Sequence, residues 1–193
     1  LMDETHRTSK GELTRRAILD AAIERFGREG YRATSVADIT RDAGVGGTVA
    51  YAYFDSKQGL FLAALDEDAA AVIHEGLSEF MDDPDPLSWR TTLISTLLDA
   101  LDHHPLARRV LSGLEPEATD RVIEIPALVE LRKAVVERLR ADQASGMVRS
   151  DIDAEAIGNG SVTIIISLLM SVLQFGPSGV AVYGPDIFAV FDA

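Results

Sequence analysis

The chain has 193 residues, 47% of them hydrophobic and 25% charged, which is the composition of a folded globular protein long enough for a compact head and a larger body. It holds no cysteine, which excludes disulfide frameworks, thiolate metal sites and cysteine nucleophiles. The net charge of −13 is unevenly placed: the nine bases and nine acids of residues 1–57 balance, so the whole excess lies in residues 58–193, and only the first segment offers a polyanion a surface to approach.

No basic, apolar leader pattern opens the chain, so no secretory signal is expected and Met2 reads as the native start. Residues 12–29 form the first predicted helix, with Ile18, Ala21, Ala22 and Phe26 at the spacing of one buried face. Gly30 stands where a C-cap glycine belongs. Ser35 and Asp38 have capping-box spacing and open a second short helix whose Val36, Ile39 and Ala43 share a face. Gly44 stops that helix and residues 44–46 make a tight turn. A third short helix is expected over residues 47–54, and Asp55 and Ser56 cap a fourth, long one reaching Phe80.

The acidic, proline-containing stretch 82–86 breaks the pattern. Further helices are expected over 87–103, 105–114, 126–144 and 153–175, with a last one starting at Pro185 and running to Phe191. No strand-like alternation of useful length occurs, so the fold is predicted to be all-α. Residues 153–175 are strongly apolar, but their continuous heart, Val162 to Leu173, is interrupted by Thr163, Ser167 and Ser171 and falls short of the roughly twenty residues that a membrane span needs. A central buried helix is expected there, and no membrane partner.

Short helix, glycine turn, short helix is the arrangement that sets a recognition helix in the DNA major groove. On the third helix, Ala50 and Phe54 lie one turn apart and face the core, which leaves Gly47, Thr48, Tyr51 and Ala52 on the opposite face. Tyr51 and Tyr53 can donate phenolic hydrogen bonds to phosphates, and Thr48 can reach a phosphate or a base edge. Lys57 and the residues that open helix two, Thr34 and Ser35, are placed to contact phosphates, and Arg41 to supply some base readout. Periodicity alone leaves a small helical bundle without DNA equally open.

The residues themselves carry more. Thr-Ser-Val-Ala-Asp-Ile at 34–39, Asp-Ala-Gly-Val at 42–45, Tyr-Ala-Tyr-Phe at 51–54 and Ser-Lys at 56–57 closely resemble the tetracycline-repressor (TetR) family of regulators, as do residues 15–22, Phe26 and Gly30. The resemblance covers about residues 12–65; the rest agrees in helical layout only. It implies an all-α protein with an N-terminal three-helix helix-turn-helix head, residues 1–56, and a larger helical body, residues 57–193, that binds a small-molecule inducer and dimerises. A bacterial, cytoplasmic homodimer on a palindromic double-stranded DNA operator, most often as a repressor, is the implied setting. The sequence departs from the family where many members carry serine at 46, a basic or polar residue at 47 and threonine at 49; here stand Gly46, Gly47 and Val49. That bare recognition face keeps a second reading open, a ligand-binding or interaction module without sequence-specific DNA binding.

The expected pocket is apolar, with Phe61, Leu65, Leu97, Leu101 and Leu131 as walls and Trp89 as a further candidate, so the inducer is expected to be small and largely hydrophobic. Asn159, Thr163, Ser167, Met170 and Gln174 form one weakly polar stripe along the 153–175 helix, a dimer seam in the light of the resemblance. His103 and His104 are adjacent and cannot chelate one ion from one helix face, so they read as a solvated helix end; no metal and no cofactor is expected. Without a phosphate-binding glycine loop or a histidine in triad spacing, no catalytic residue is expected and the protein is not read as an enzyme.

Overall fold

The computed structural model describes residues 9–82 and 88–176, together with residues 178, 181, 182, 184–186 and 189. Those residues form an all-α protein with no strand among them. Helix α1 spans Lys10–Glu29, α2 Val36–Asp42, and a short 3-10 helix follows at Val49–Ala52. Helix α3 spans Lys57–Asp82, α4 Trp89–Leu101 and α5 Pro105–Leu111; a 3-10 segment, Pro116–Glu124, precedes α6 (Ala127–Ala144) and α7 (Ala154–Phe175). Most of the acidic break at 82–86, and most of the expected last helix from 185 to 191, lie outside the described residues.

Local chemistry explains the boundaries. Helix α1 starts two residues earlier than its apolar pattern because Ser9 and Glu12 form a reciprocal capping box, the Glu12 N–H donating to Ser9 Oγ at 3.2 Å and the Ser9 N–H to Glu12 Oε2 at 2.5 Å. Ser35 caps α2 by accepting from the Asp38 N–H at 3.1 Å, but Asp38 returns to the Ser35 hydroxyl, not to its N–H, so only half of the expected box forms. Ser56 Oγ accepts from the Gly59 N–H at 3.0 Å at the start of α3, and Asp153 caps α7 through Glu155 and Ala156. The third helix expected over 47–54 is shorter and tighter than expected. Val49, Tyr51 and Tyr53 donate to carbonyls three residues back, and a glycine pair precedes a β-branched residue, a poor start for an α-helix. The segment after α5, between the helices expected over 105–114 and 126–144, is a 3-10 run whose Ala118 and Val122 are buried.

Two apolar clusters organise the molecule. The first gathers Ile18, Phe26, Ile39, Ala50 and Phe54 from the head with Leu60, Phe61 and Leu65 of α3 and Leu106 and Val110 of α5. The second fills the body between α3, α4, α6 and α7. The head's core therefore does not close at residue 56; it is completed by α3 and α5. Gly27 permits this, because a Cβ there would stand 2.6 Å from Pro105 Cβ and 2.9 Å from its carbonyl carbon.

Helix α7 differs from the expectation of a fully buried core helix. By length and composition alone it could cross a membrane. Val162, Ile165, Leu168 and Leu169 pack into the body's core, while Gly160, Thr163, Ile164 and Ser167 lie on an exposed face. Only one face meets the other described helices.

Candidate nucleic-acid interface and ligand cavity

The head presents a small, sparsely furnished face. Helix α2 ends at Asp42, and two residues on Gly44, whose φ of +68° favours glycine, turns the chain into the 3-10 helix. Ala50 and Phe54 are buried as expected, and Gly47, Thr48, Tyr51 and Ala52 are exposed together on the other side. Tyr51 is 56% exposed and is the largest apolar side chain on this surface. Gly46 and Gly47 have no positive φ, and a Cβ at Gly47 would meet nothing within 4 Å, so the backbone does not require glycine there.

The other candidate DNA contacts are distributed around this face. Ser35 holds the start of α2. Arg41, near its end, is exposed and paired with Asp38 at 2.9 Å. Tyr53 is half-buried, and Lys57 Nζ lies 4.4 Å above the Tyr31 ring. Thr34 stands apart from them: it is 2% exposed and its hydroxyl donates to the Gly30 carbonyl at 2.8 Å, which locks the chain between α1 and α2.

One ion-pair arrangement stiffens this head, and the sequence pattern did not single it out. Arg25 of α1 donates to Asp42 at 2.6 and 3.0 Å and to Glu29 at 3.1 and 3.2 Å. The hydrogen bond that Arg25 donates to Asp42 holds the guanidinium well above the usual arginine range, and the same bond holds the Asp42 carboxyl below its ordinary value. The hydrogen bond from Ser35 lowers Asp38 likewise. Arg25 and Asp42 lie 17 positions apart, and only folding brings them together.

Helix α5 joins the head to the body. Glu115 accepts from the Tyr31 N–H at 3.1 Å and from Arg109 Nε at 2.7 Å, and Arg32 pairs with Glu117. Asp68, 3% exposed on α3, accepts from the N–H groups of Leu106 and Ala107 at 3.0 and 2.8 Å, which caps α5. His104 is not a solvated helix end: Nδ1 lies 2.8 Å from Asp68 and Nε2 3.0 Å from Glu75. Burial pushes this imidazole down, but the hydrogen bonds to Glu75 and Asp68 outweigh it and the net shift is upward. Arg132 also holds a tertiary contact, donating to the Asn159 carbonyl at 2.9 Å.

Inside the body lies an apolar cavity of about 60 Å³ whose walls come from α3 to α7 and the 3-10 segment between α5 and α6. Leu65, Leu97, Leu101 and Leu131 line it together. Phe61 and Trp89 do not: Phe61 packs edge-on against Phe26 at 5.1 Å in the head, and Trp89 against Phe80 at 5.2 Å. Of the expected seam, Thr163 and Ser167 are exposed while Met170 and Asn159 are half-buried, and Gln174 is tied back to the Leu111 carbonyl at 2.9 Å. Among the described residues no group of three or more histidine, aspartate or glutamate side chains is placed to hold a metal.

Known proteins agree with this arrangement. Residues 18–64 match the family described as bacterial regulatory proteins, tetR family. The HTH-type transcriptional regulator TtgR of Pseudomonas putida is 30% identical over 152 residues, covering 74% of this chain and 71% of that protein. The chain belongs to the tetR family of bacterial regulatory proteins. A further relative, the uncharacterized HTH-type transcriptional regulator YdgC of Bacillus subtilis, is 26% identical over 87% of this chain and 85% of its own length. The structure of the transcriptional regulator FadR from Bacillus subtilis in complex with stearoyl-CoA shares the fold with a TM-score of 0.69 at 18% identity, covering 92% of this chain and 97% of that one. This TetR-family chain is thus a transcriptional regulator with a helix-turn-helix head, and nothing in these relatives points to an enzyme.

Proposed function

We propose that this regulator is a ligand-responsive repressor that binds a palindromic operator as a dimer and is released by a small, largely apolar inducer. The observation that carries this reading is α5: its first turn packs on α1 of the head, and Ala107, Val110 and Leu111 form part of the cavity wall. A molecule that enlarges the cavity moves the helix on which the head rests, so ligand and DNA would favour different conformations and oppose each other.

In this reading residues 1–56 are the DNA-binding unit and residues 57–193 the ligand-binding and dimerisation unit. Gly47, Thr48, Tyr51 and Ala52 enter the major groove, while Ser35, Arg41, Tyr53 and Lys57 contact the backbone or groove edges. Thr34 acts by holding the turn. The pocket is the cavity lined by Leu65, Leu97, Leu101 and Leu131. The dimer seam is the exposed face of α7, where the hydroxyls of Thr163, Ser167 and Ser171 bond back to their own helix and leave a smooth surface of small residues beside Ile164. FadR of Bacillus subtilis, solved with stearoyl-CoA, supports a ligand with a long aliphatic part in this fold. A soluble, cytoplasmic site of action follows from this function.

Selection of DNA from a random library with ligand-free protein, followed by anisotropy at several salt concentrations, tests the reading. An enriched palindrome, bound more weakly as salt rises, is expected. A folded dimer that enriches no sequence would overturn it in favour of an interaction module without DNA specificity.

A further inference from the structure

We propose that the cavity takes an aliphatic chain with at most one polar end, and discriminates against aromatic rings and against chains that are polar at both ends. This rests on the reading of the cavity as the inducer site and names the ligand class for it. The observation is the chemistry of the wall. All sixteen lining residues are leucine, isoleucine, valine or alanine; none has a polar side-chain atom and none is aromatic.

The absence of aromatic walls follows from where the rings go. Phe26, Tyr31 and Phe61 pack on one another at the head, and Phe80 packs on Trp89 in another part of the body's core. The cavity therefore offers a flat ligand no stacking partner. Its volume of about 60 Å³ is well below the roughly 150 Å³ of a dry cavity that admits benzene, so the wall must yield to any ligand, and shape decides how. A rigid ring needs the wall to move outward as a unit. A chain of methylenes needs only a slim channel, which leucine and isoleucine side chains open by changing rotamers.

Polarity sets the second limit. The walls come mostly from helices, whose interior backbone groups are already hydrogen-bonded along the helix. A hydroxyl or charge inside would leave its own hydrogen bonds unmade. One end of a chain can stay at the edge of the cavity in contact with water; the other end must be hydrocarbon.

The test uses the full-length protein and three probes of ten carbon atoms each: n-decanol, decanediol with a hydroxyl at each end, and naphthol. Calorimetric titration and thermal melting are read in parallel. Decanol is expected to bind and to raise Tm, with decanediol and naphthol at least about tenfold weaker. Ala69→Leu, which fills the cavity from α3, is expected to weaken decanol by about tenfold or more. Ala107→Val serves the same purpose with less overpacking if that variant fails to fold. Naphthol or decanediol binding as tightly as decanol overturns the proposal, as does undiminished decanol binding to the filled variants. Operator affinity, measured separately, keeps the two readings apart. Selective decanol binding that leaves operator affinity unchanged supports the ligand class and overturns ligand-responsive repression. No decanol binding by a protein that selects an operator overturns the ligand class alone.

Discussion

Thr34 and Tyr51 both look like DNA contacts in the sequence, and burial separates them. Tyr51 projects into solvent from the 3-10 helix, whereas the Thr34 hydroxyl is consumed by the Gly30 carbonyl. Tyr51→Ala is expected to lower operator affinity about tenfold with no change in Tm, read by anisotropy and melting. Thr34→Val is expected to cost about 1 kcal/mol of stability, read by denaturant titration, through a buried carbonyl that loses its donor. Position in the motif could not distinguish the two, because both lie beside glycine turns. His104 is a second case, since its partners Asp68 and Glu75 are 36 and 29 positions away. Its folded pKa lies above the unfolded one, so the stability it contributes is complete below about pH 6.5 and is lost as pH rises through the folded value. Tm is therefore expected to fall, as pH rises above about 6.5, more steeply in the native protein than in His104→Gln. Equal slopes would remove His104 from the account.

At the scale of elements, the helices announced themselves through spacing and caps, and α6 and α7 begin within a residue of where the pattern places them. The apolar pattern set the start of α1 at residue 12; the Ser9–Glu12 capping box extends it to Lys10, because a cap supplies the donors and acceptors that the first turn lacks. The recognition element was legible as an element but not as a 3-10 helix; tight hydrogen bonding over four residues has no periodicity of its own to detect. Open space around Gly47 leads to a prediction. Gly47→Lys is expected to strengthen DNA binding and to steepen the salt dependence by about one unit of the log–log slope, without changing the selected sequence. Gly27 is the opposite case. A methyl group there meets Pro105, so Gly27→Ala is expected to cost about 1–3 kcal/mol and to alter operator affinity even in the remaining folded protein, read by denaturant titration and anisotropy.

For the whole molecule, the deciding features are the two clusters and the helix that touches both. Leu106 and Val110 of α5 complete the head's core, while Ala107 and Leu111 of the same helix lean on the body. The apolar pattern of residues 105–111 shows that this helix is buried, but not that two units share it. Helix α7 offers the dimer test. Ile164→Arg, on its exposed face, is expected to convert a dimer to a monomer in light-scattering chromatography and to reduce operator affinity by an order of magnitude or more, with helicity unchanged. A dimer that persists would move the seam elsewhere.

What the sequence determined by itself is the helical class, the head with its glycine turn, the family and the apolar character of the body. All of these rest on local spacing and on residue types that act within one or two turns. What only the tertiary structure decided is which side chains remain free. Packing buried Thr34, moved Phe61 and Trp89 away from the cavity, joined Arg25 to Asp42 and His104 to Asp68, and exposed one face of α7. Such contacts cross tens of residues, and hydrogen bonding and burial select them only after the helices have met.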